Sequence, residues 1–184
     1  MSNSATTQFI DVLSSLKAGE LGLLRSHAGQ GLDQSVEGFD LFTGLWWPLR
    51  QKNPKTPRRS IAWLVAKLYA FKPIQKATDS PFARQMRRCE PKTDDTRRSY
   101  RQKFDLLLQT PLEDLEPALQ WALIQIASNK NELKLDWVQL TDDLSLWDKG
   151  ERISRDKIVM DVREQWARQY LDPTYIIQSN QEME

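Results

Sequence analysis

Arginine and lysine are the residues of this sequence with the clearest chemical potential, and they are concentrated in one segment. Residues 50–103 carry sixteen Lys or Arg against four Asp or Glu, whereas residues 104–184 carry eight basic against sixteen acidic groups. The formal net charge of +1 therefore hides a strong separation of charge along the chain. Such separation is typical of a protein that presents a cationic surface to a polyanion. The alternative is that the basic segment pairs with the acidic C-terminal half, although such surface pairs stabilise little.

Helical spacing identifies the organised part of this basic segment. Arg97 and Arg101 lie four residues apart and share one face of a helix, where like charges repel each other. An external anion would relieve that repulsion. The sequence therefore predicts a nucleic-acid-binding surface that consists of Arg58, Arg59, Arg84, Arg87, Arg88, Arg97, Arg98, Arg101 and Lys103.

Residues suited to catalysis or metal binding are scarce. His27 is the only histidine, which excludes sites that need two imidazoles, and we interpret it as a surface or packing residue. Cys89 has Arg87 and Arg88 as neighbours that could lower the pKa of its thiol, but no histidine lies close in sequence. Glycine-rich nucleotide-binding motifs are absent. We therefore expect no catalytic residue, no metal, no cofactor and no small-molecule substrate.

The composition indicates a cytoplasmic protein without membrane contact. A single cysteine excludes an internal disulfide framework. No apolar run approaches the roughly 20 residues that a bilayer-spanning helix needs. The N-terminal MSNSATTQ also lacks the basic and apolar regions of a secretory signal.

The elements that must position the basic residues are helices. Apolar residues recur at helical spacing along the chain, beginning with Phe9, Val12 and Leu13, and no segment shows convincing strand alternation. An all-α fold follows. Residues 48–57 contain three prolines without a packing pattern and are predicted to form an exposed basic linker.

The C-terminal part of the chain adds aromatic anchors to this helical pattern. Ser154 is predicted to cap the last helix, in which Ile158, Val162 and Trp166 are each four residues apart. The apolar stripes also place Trp137, Trp147 and Trp166 in the core. Trp47 and Trp121 are the tryptophans most suited to face a partner.

Six segments carry a resemblance to a known family. They are KAGELGLLR at 17–25, PRRSIAWLVAKLYA at 57–70, FARQMRR at 82–88, RQKFDLLLQTPLEDLEPALQWAL at 101–123, LDWVQLTDDLSLWD at 135–148 and REQWARQYL at 163–171. In order and spacing they resemble the CasB family, the small subunit of the type I-E CRISPR Cascade surveillance complex. The last three segments together carry most of the specificity.

The resemblance implies two small helical bundles packed into one elongated, non-enzymatic subunit. Residues 1–110 would form the N-terminal lobe with the basic segment, residues 111–172 the C-terminal lobe, and residues 173–184 a mobile tail. The implied partners are a second copy of the chain, the large subunit, the backbone subunits that bind the guide RNA, the guide RNA itself and the target DNA. Since guide pairing reads the sequence in such complexes, this subunit would contact phosphates rather than base edges.

The resemblance also assigns roles by position. It matches Arg58 or Arg59, Arg84, Arg98 and Arg101 to basic positions of the family. Ala83 stands where the family has a glycine, and Gln120–Trp121 stands where it often has arginines, so phosphate contact from that helix is not implied.

Two other functions remain open at this stage. One is a helix-turn-helix regulator, which would need base-reading residues on a recognition helix and usually a symmetric dimer. Residues 80–103 could mimic one, but Pro91 fits poorly. The other is a protein-interaction adaptor whose basic segment docks an acidic partner.

Overall fold

Helices make up nearly all of the regular structure in the computed structural model, which describes residues 4–34, 36–154 and 157–172. The predicted all-α class is confirmed, with one small hairpin added to it. The elements are α1 (Ala5–Ser14), α2 (Ala18–Ser26), α3 (Val36–Lys52), α4 (Arg59–Phe71), α5 (Phe82–Arg88), α6 (Asp94–Gln109), α7 (Glu116–Ala127), α8 (Trp137–Leu146), β1 (Arg152–Ser154), β2 (Lys157–Val159) and α9 (Val162–Leu171). Short 3-10 turns occupy Leu32–Gln34 and Leu112–Asp114.

Helix α4 is the centre of the core. Every residue from 61 to 70 is buried, as expected for a helix that is surrounded on all sides. Helices α2, α3, α7 and α8 all pack against it. The buried apolar side chains form one cluster that extends from Phe9 to Tyr170. The division into lobes at residue 110 stays a prediction, and the predicted tail at 173–184 lies outside the described residues.

The tryptophans predicted for the core are confirmed. Trp137, Trp147 and Trp166 are among the largest fully buried side chains. Each ring nitrogen has an acceptor: Trp137 donates to the carbonyl of Ile74 at 2.8 Å and Trp147 to that of Thr110 at 2.9 Å, while Trp166 donates to the carboxylate of Asp143. Satisfied indole groups let these large rings anchor the core without a desolvation penalty.

The C-terminal hairpin corrects the prediction for the last helix. Ser154 lies in β1, opposite Lys157, and is not a helix cap. Ile158 lies in β2 and is 73% exposed, so it does not belong to the apolar face of a helix. Helix α9 begins at Val162. Its N-cap is Asp161, whose carboxylate accepts a hydrogen bond from the Arg163 amide at 2.7 Å. The prediction was wrong because three-residue strands are too short to show alternation, while a spacing of four imitated a helix.

The predicted exposed linker at 48–57 is wrong for its first half, which is helical, although half of its residues are exposed as expected. Helix α3 continues through Pro48 to Lys52, and the exposed proline removes only one N–H from its ladder. The Arg50 guanidinium then donates to the carbonyl oxygens of Pro54 at 2.5 Å and Thr56 at 2.6 Å. These contacts turn the chain tightly into α4, which the local sequence pattern does not reveal.

No helix in the described part of the chain is long and apolar enough to cross a membrane.

Candidate nucleic-acid interface

Helices α5 and α6 carry seven of the nine predicted site residues, and aromatic packing holds the two helices together. Phe82 and Met86 of α5 and Tyr100 and Phe104 of α6 are buried. The Tyr100 hydroxyl donates to the Met86 carbonyl at 2.8 Å, which joins the helices directly. With the apolar sides turned inward, the basic residues are left on the outer faces.

Glu90, in the turn between α5 and α6, is the focus of this basic surface. Its Oε1 atom lies 2.8 Å from Arg101 Nη2 and 3.4 Å from Arg97 Nε. Its Oε2 atom pairs with Arg87 and accepts from the Tyr170 hydroxyl at 2.5 Å. Three guanidinium groups thus converge on one carboxylate, whose side chain is only 7% exposed.

The pKa of Glu90 reflects this convergence. Burial alone would raise it, but hydrogen bonds from Tyr170, Arg101 and Arg87 reverse that effect, so the pKa lies below its ordinary value. Glu90 is therefore an anion that holds three arginines in place. Arg97 also pairs with the exposed carboxylate of Asp94 at 3.1 Å. Two negative charges therefore face three positive charges, and the cluster keeps an excess of one positive charge.

The remaining α5 and α6 residues extend the surface around this cluster. Arg98 is exposed and has no ion pair among the described residues, and it lines a shallow depression with Arg97 and Arg101. The Lys103 ammonium lies 5.8 Å from the centre of the Trp121 ring. Arg88 is exposed. On α5, the Arg84 guanidinium lies 4.0 Å from the Asp172 carboxylate.

The structure separates Arg58 and Arg59 from that cluster. Both are exposed at the start of α4, on a different element. The first turn of α4 adjoins the segment after α6, because Ser60 and Pro111 line the same cleft. The predicted site residues therefore form two groups, one centred on Glu90 and one at the beginning of α4.

Arg87, Arg97 and Arg101 do not form ion pairs with the acidic C-terminal half of the chain among the described residues. All three pair with Glu90, and Arg97 pairs with Asp94 as well; both carboxylates belong to the basic segment itself. The spacing of the basic residues did not predict a role for Glu90 or Tyr170. Glu90 could have been noticed as the only acidic residue between Asp79 and Asp94, but Tyr170 lies 80 positions away and gives no local signal.

The two residues considered for catalysis have structural roles. His27 is buried, with its Nδ1 atom 2.8 Å from the Leu23 carbonyl and its ring against Trp63, so the packing interpretation is confirmed. Burial raises the pKa of the Cys89 thiol to about 11, although Asn129 and Arg88 act in the opposite direction. Arg88 does lower this pKa, as its position suggested, but the cost of burying a thiolate is larger, so the net shift is upward. No group of side chains suited to a metal ion occurs within the described residues.

Glu90→Gln is expected to lower the free energy of unfolding by about 1–2 kcal/mol at pH 7, because it removes the charge from several hydrogen bonds. A lowered folded-state pKa stabilises the fold above the ordinary value of 4.5, and this contribution is lost as the pH falls through the folded-state value. Urea denaturation at several pH values should therefore show that the difference in free energy of unfolding between wild type and Glu90→Gln becomes smaller below pH 4.5. Glu151→Gln, at an exposed position, is the control. A deficit that is independent of pH would contradict the electrostatic account.

Comparisons with known proteins agree with this architecture. The family model of CRISPR-associated protein Cse2 matches residues 20–171. The fold is similar to CasB of M. ruber, with a TM-score of 0.70 at 19% identity, covering 97% of this chain and 98% of that chain. The fold is also similar to a CRISPR-associated protein of the Cse2 family from Thermus thermophilus, with a TM-score of 0.64 at 22% identity, covering 91% of this chain and 98% of that chain. CasB from Thermobifida fusca has a TM-score of 0.61 to this fold at 15% identity, covering 90% of this chain and 94% of that chain. No curated protein matches the sequence.

Proposed function

The chain belongs to the Cse2 family of CRISPR-associated proteins, and from that premise we propose that it is the non-catalytic small subunit of a type I-E Cascade complex. In this role it binds nucleic-acid backbone and stabilises the R-loop, including the displaced DNA strand. Its partners are the large subunit, the guide-RNA-binding backbone subunits, a second copy of itself, the guide RNA and the target DNA. The proposed contacts are Arg58, Arg59, Arg84, Arg87, Arg88, Arg97, Arg98, Arg101 and Lys103.

The observation that carries this proposal is the convergence of three arginines on Glu90. Because Arg87, Arg97 and Arg101 are already held in place, less side-chain entropy is lost when a phosphate binds beside them. The excess of positive charge attracts a backbone of phosphates. Contacts of this type carry no base sequence, which suits a complex in which the guide reads the target.

Arg98→Ala is expected to weaken binding of the full-length protein to single-stranded DNA about three- to tenfold at low salt, because it removes one phosphate contact. If about four to six phosphates are contacted, log Kd should change with log salt by a slope of roughly 3–5, and the substitution should reduce that slope by about 0.7. Fluorescence anisotropy with a labelled oligonucleotide at several salt concentrations measures both quantities.

The matched control is Arg168→Ala on α9. Arg168 is exposed like Arg98, but it pairs with Glu164 four residues before it and lies outside the basic segment. We expect no change in affinity or slope for this control. Equal effects of the two substitutions, or a wild-type slope near zero, would contradict the proposed interface.

Two further measurements separate the other two functions, namely selection from random duplexes and assembly with the Cascade subunits. A helix-turn-helix regulator would select a consensus from random duplexes, whereas the proposed backbone contact selects none. A protein-interaction adaptor would still assemble with the Cascade subunits while failing to bind DNA. In the assembled complex, Arg84→Ala, Arg98→Ala and Arg101→Ala together should shorten the lifetime of the R-loop.

A further inference from the structure

The end of α3, the turn that follows it and the first residue of α4 form an ordered surface, residues 47–59, here called the α3–α4 corner. Trp46, immediately before it, donates from its ring nitrogen to the Pro57 carbonyl at 2.9 Å. The Thr56 hydroxyl donates to the Leu49 carbonyl at 3.1 Å, and both Thr56 and Pro57 are buried. With the two hydrogen bonds from Arg50 described above, these contacts hold the corner against the core. Its outward side chains therefore project from a supported backbone.

The positive charge of the corner is uncompensated. Lys52, Lys55, Arg58 and Arg59 are exposed, and none forms an ion pair with a described residue. The sequence between Asp40 and Asp79 contains no Asp or Glu at all. The corner differs in this respect from the Glu90 cluster, where a carboxylate is shared by three arginines. It presents its exposed cations to an anionic partner.

An exposed aromatic ring lies at the same corner. Trp47 is 49% exposed, whereas its neighbour Trp46 is 8% exposed. The two rings have centres 5.8 Å apart, and Trp46 touches Pro57, so Trp46 links the Trp47 ring to the turn that precedes Arg58. Indole faces flanked by cations are the combination with which proteins bind single strands, since each base has a face that can stack.

The surroundings of Trp47 favour a nucleic acid over a protein as its partner. The other large apolar side chain exposed on α3, Phe39, lies eight residues away, which is about 12 Å along a helix. A protein interface would need a contiguous apolar centre around the tryptophan, whereas the other exposed side chains of the corner include four cations. Exposed positive charge on the same corner as a single exposed flat ring complements a phosphate backbone with an accessible base.

We propose that the α3–α4 corner is a binding site for unpaired nucleic acid, in which Trp47 stacks on a base while the exposed cations of the corner neutralise phosphates of the same strand. The inference rests on the proposed function and adds to it a base contact that is independent of base identity. Such a contact distinguishes an unpaired strand from a duplex, in which the base faces are covered by their neighbours. It gives the subunit a physical means of holding a displaced strand.

The test compares two oligonucleotides of equal length, an ordinary single-stranded DNA and an abasic DNA with the same number of phosphates. Full-length wild-type protein should bind the ordinary strand roughly tenfold more tightly than the abasic one, given the usual contribution of one stacked base. Trp47→Ala should abolish that preference and leave the salt dependence unchanged. Trp47→Phe should retain most of the preference, because a phenyl ring still stacks.

Two control variants keep the result interpretable. Phe39→Ala removes an exposed ring from the same helix and should leave the preference intact, while Lys52→Ala should lower the salt slope by about 0.7 without affecting the preference. Circular dichroism and thermal unfolding verify that each variant is folded. The stacking site is overturned if the wild-type protein binds both strands with equal affinity, or if the Trp47→Ala variant still prefers the ordinary strand. Either result leaves the proposed function standing. Absence of salt-dependent binding to either strand overturns both.

Discussion

Replacing Glu116 by alanine is expected to lower the free energy of unfolding by about 3–5 kcal/mol, the usual cost of removing one partner from a buried ion pair. Glu116 Oε2 lies 2.5 Å from Lys67 Nζ, and the two side chains are 11% and 4% exposed. Its Oε1 atom accepts from the Gly29 amide at 2.8 Å. Without the carboxylate, the ammonium keeps only the Gln30 carbonyl, at 2.8 Å, as a hydrogen-bond acceptor among the described residues. Urea denaturation at pH 7 measures the loss.

Two further variants test the cause of this destabilisation. Glu113→Ala, a few residues earlier at an exposed position, should change stability by less than about 0.5 kcal/mol. Joint replacement of Lys67 by Met and Glu116 by Leu should recover most of the loss, because no unpaired charge is then buried. A Glu116→Ala protein within about 1 kcal/mol of wild type would mean that water reaches the ammonium, contrary to the structure.

Asp143→Asn is expected to act in the opposite direction and to stabilise the protein by about 2 kcal/mol at pH 7, on the basis of its shifted pKa. The pKa of Asp143 is raised to about 6, mainly by burial and also by Asp142 and Asp136, while the hydrogen bond from Trp166 at 2.7 Å offsets part of this increase. Because the unfolded value is near 3.8, the folded state binds the additional proton between these two values. Stability therefore falls as the pH rises from about 4 to about 6, and the full penalty remains at pH 7.

An asparagine removes this penalty while its amide oxygen still accepts from the Trp166 ring. The gain should be present at pH 7 and absent at about pH 4, where the aspartate is protonated in the folded state. Thermal unfolding at the two pH values provides the comparison, and Asp105→Asn on the exposed face of α6 is the control. Equal gains at both pH values, or a loss at pH 7, would show that burial of the charge is not the dominant effect.

Glu90 and Asp143 show that burial alone does not determine the direction in which the pKa of a carboxylate shifts. Each is largely covered, yet the pKa of Glu90 is lowered and that of Asp143 is raised. The difference lies in their neighbours, since Glu90 faces three guanidinium groups and Asp143 faces one indole N–H and further carboxylates. Neither the residue type nor its position in the sequence distinguishes the two cases.

Helical periodicity was sufficient to predict most of the fold. The first helix, around Phe9 and Leu13, matches the prediction. The same periodicity gave wrong predictions where a proline lies inside a helix and where strands are only three residues long. The continuation of α3 through Pro48 and the hairpin at 152–159 depend on contacts that a local pattern does not contain.

By itself, the sequence determined which residues are charged, which faces of the helices are apolar, and to which family the chain is similar. Only the tertiary structure decided how the charges are paired. Glu90 meets Tyr170 across 80 positions, Lys67 meets Glu116 across 49, and the burial of Trp46 leaves Trp47 on the surface. The physical reason is that periodicity describes one helix at a time, whereas a carboxylate is neutralised, and an aromatic ring covered, by whatever the other helices bring to it.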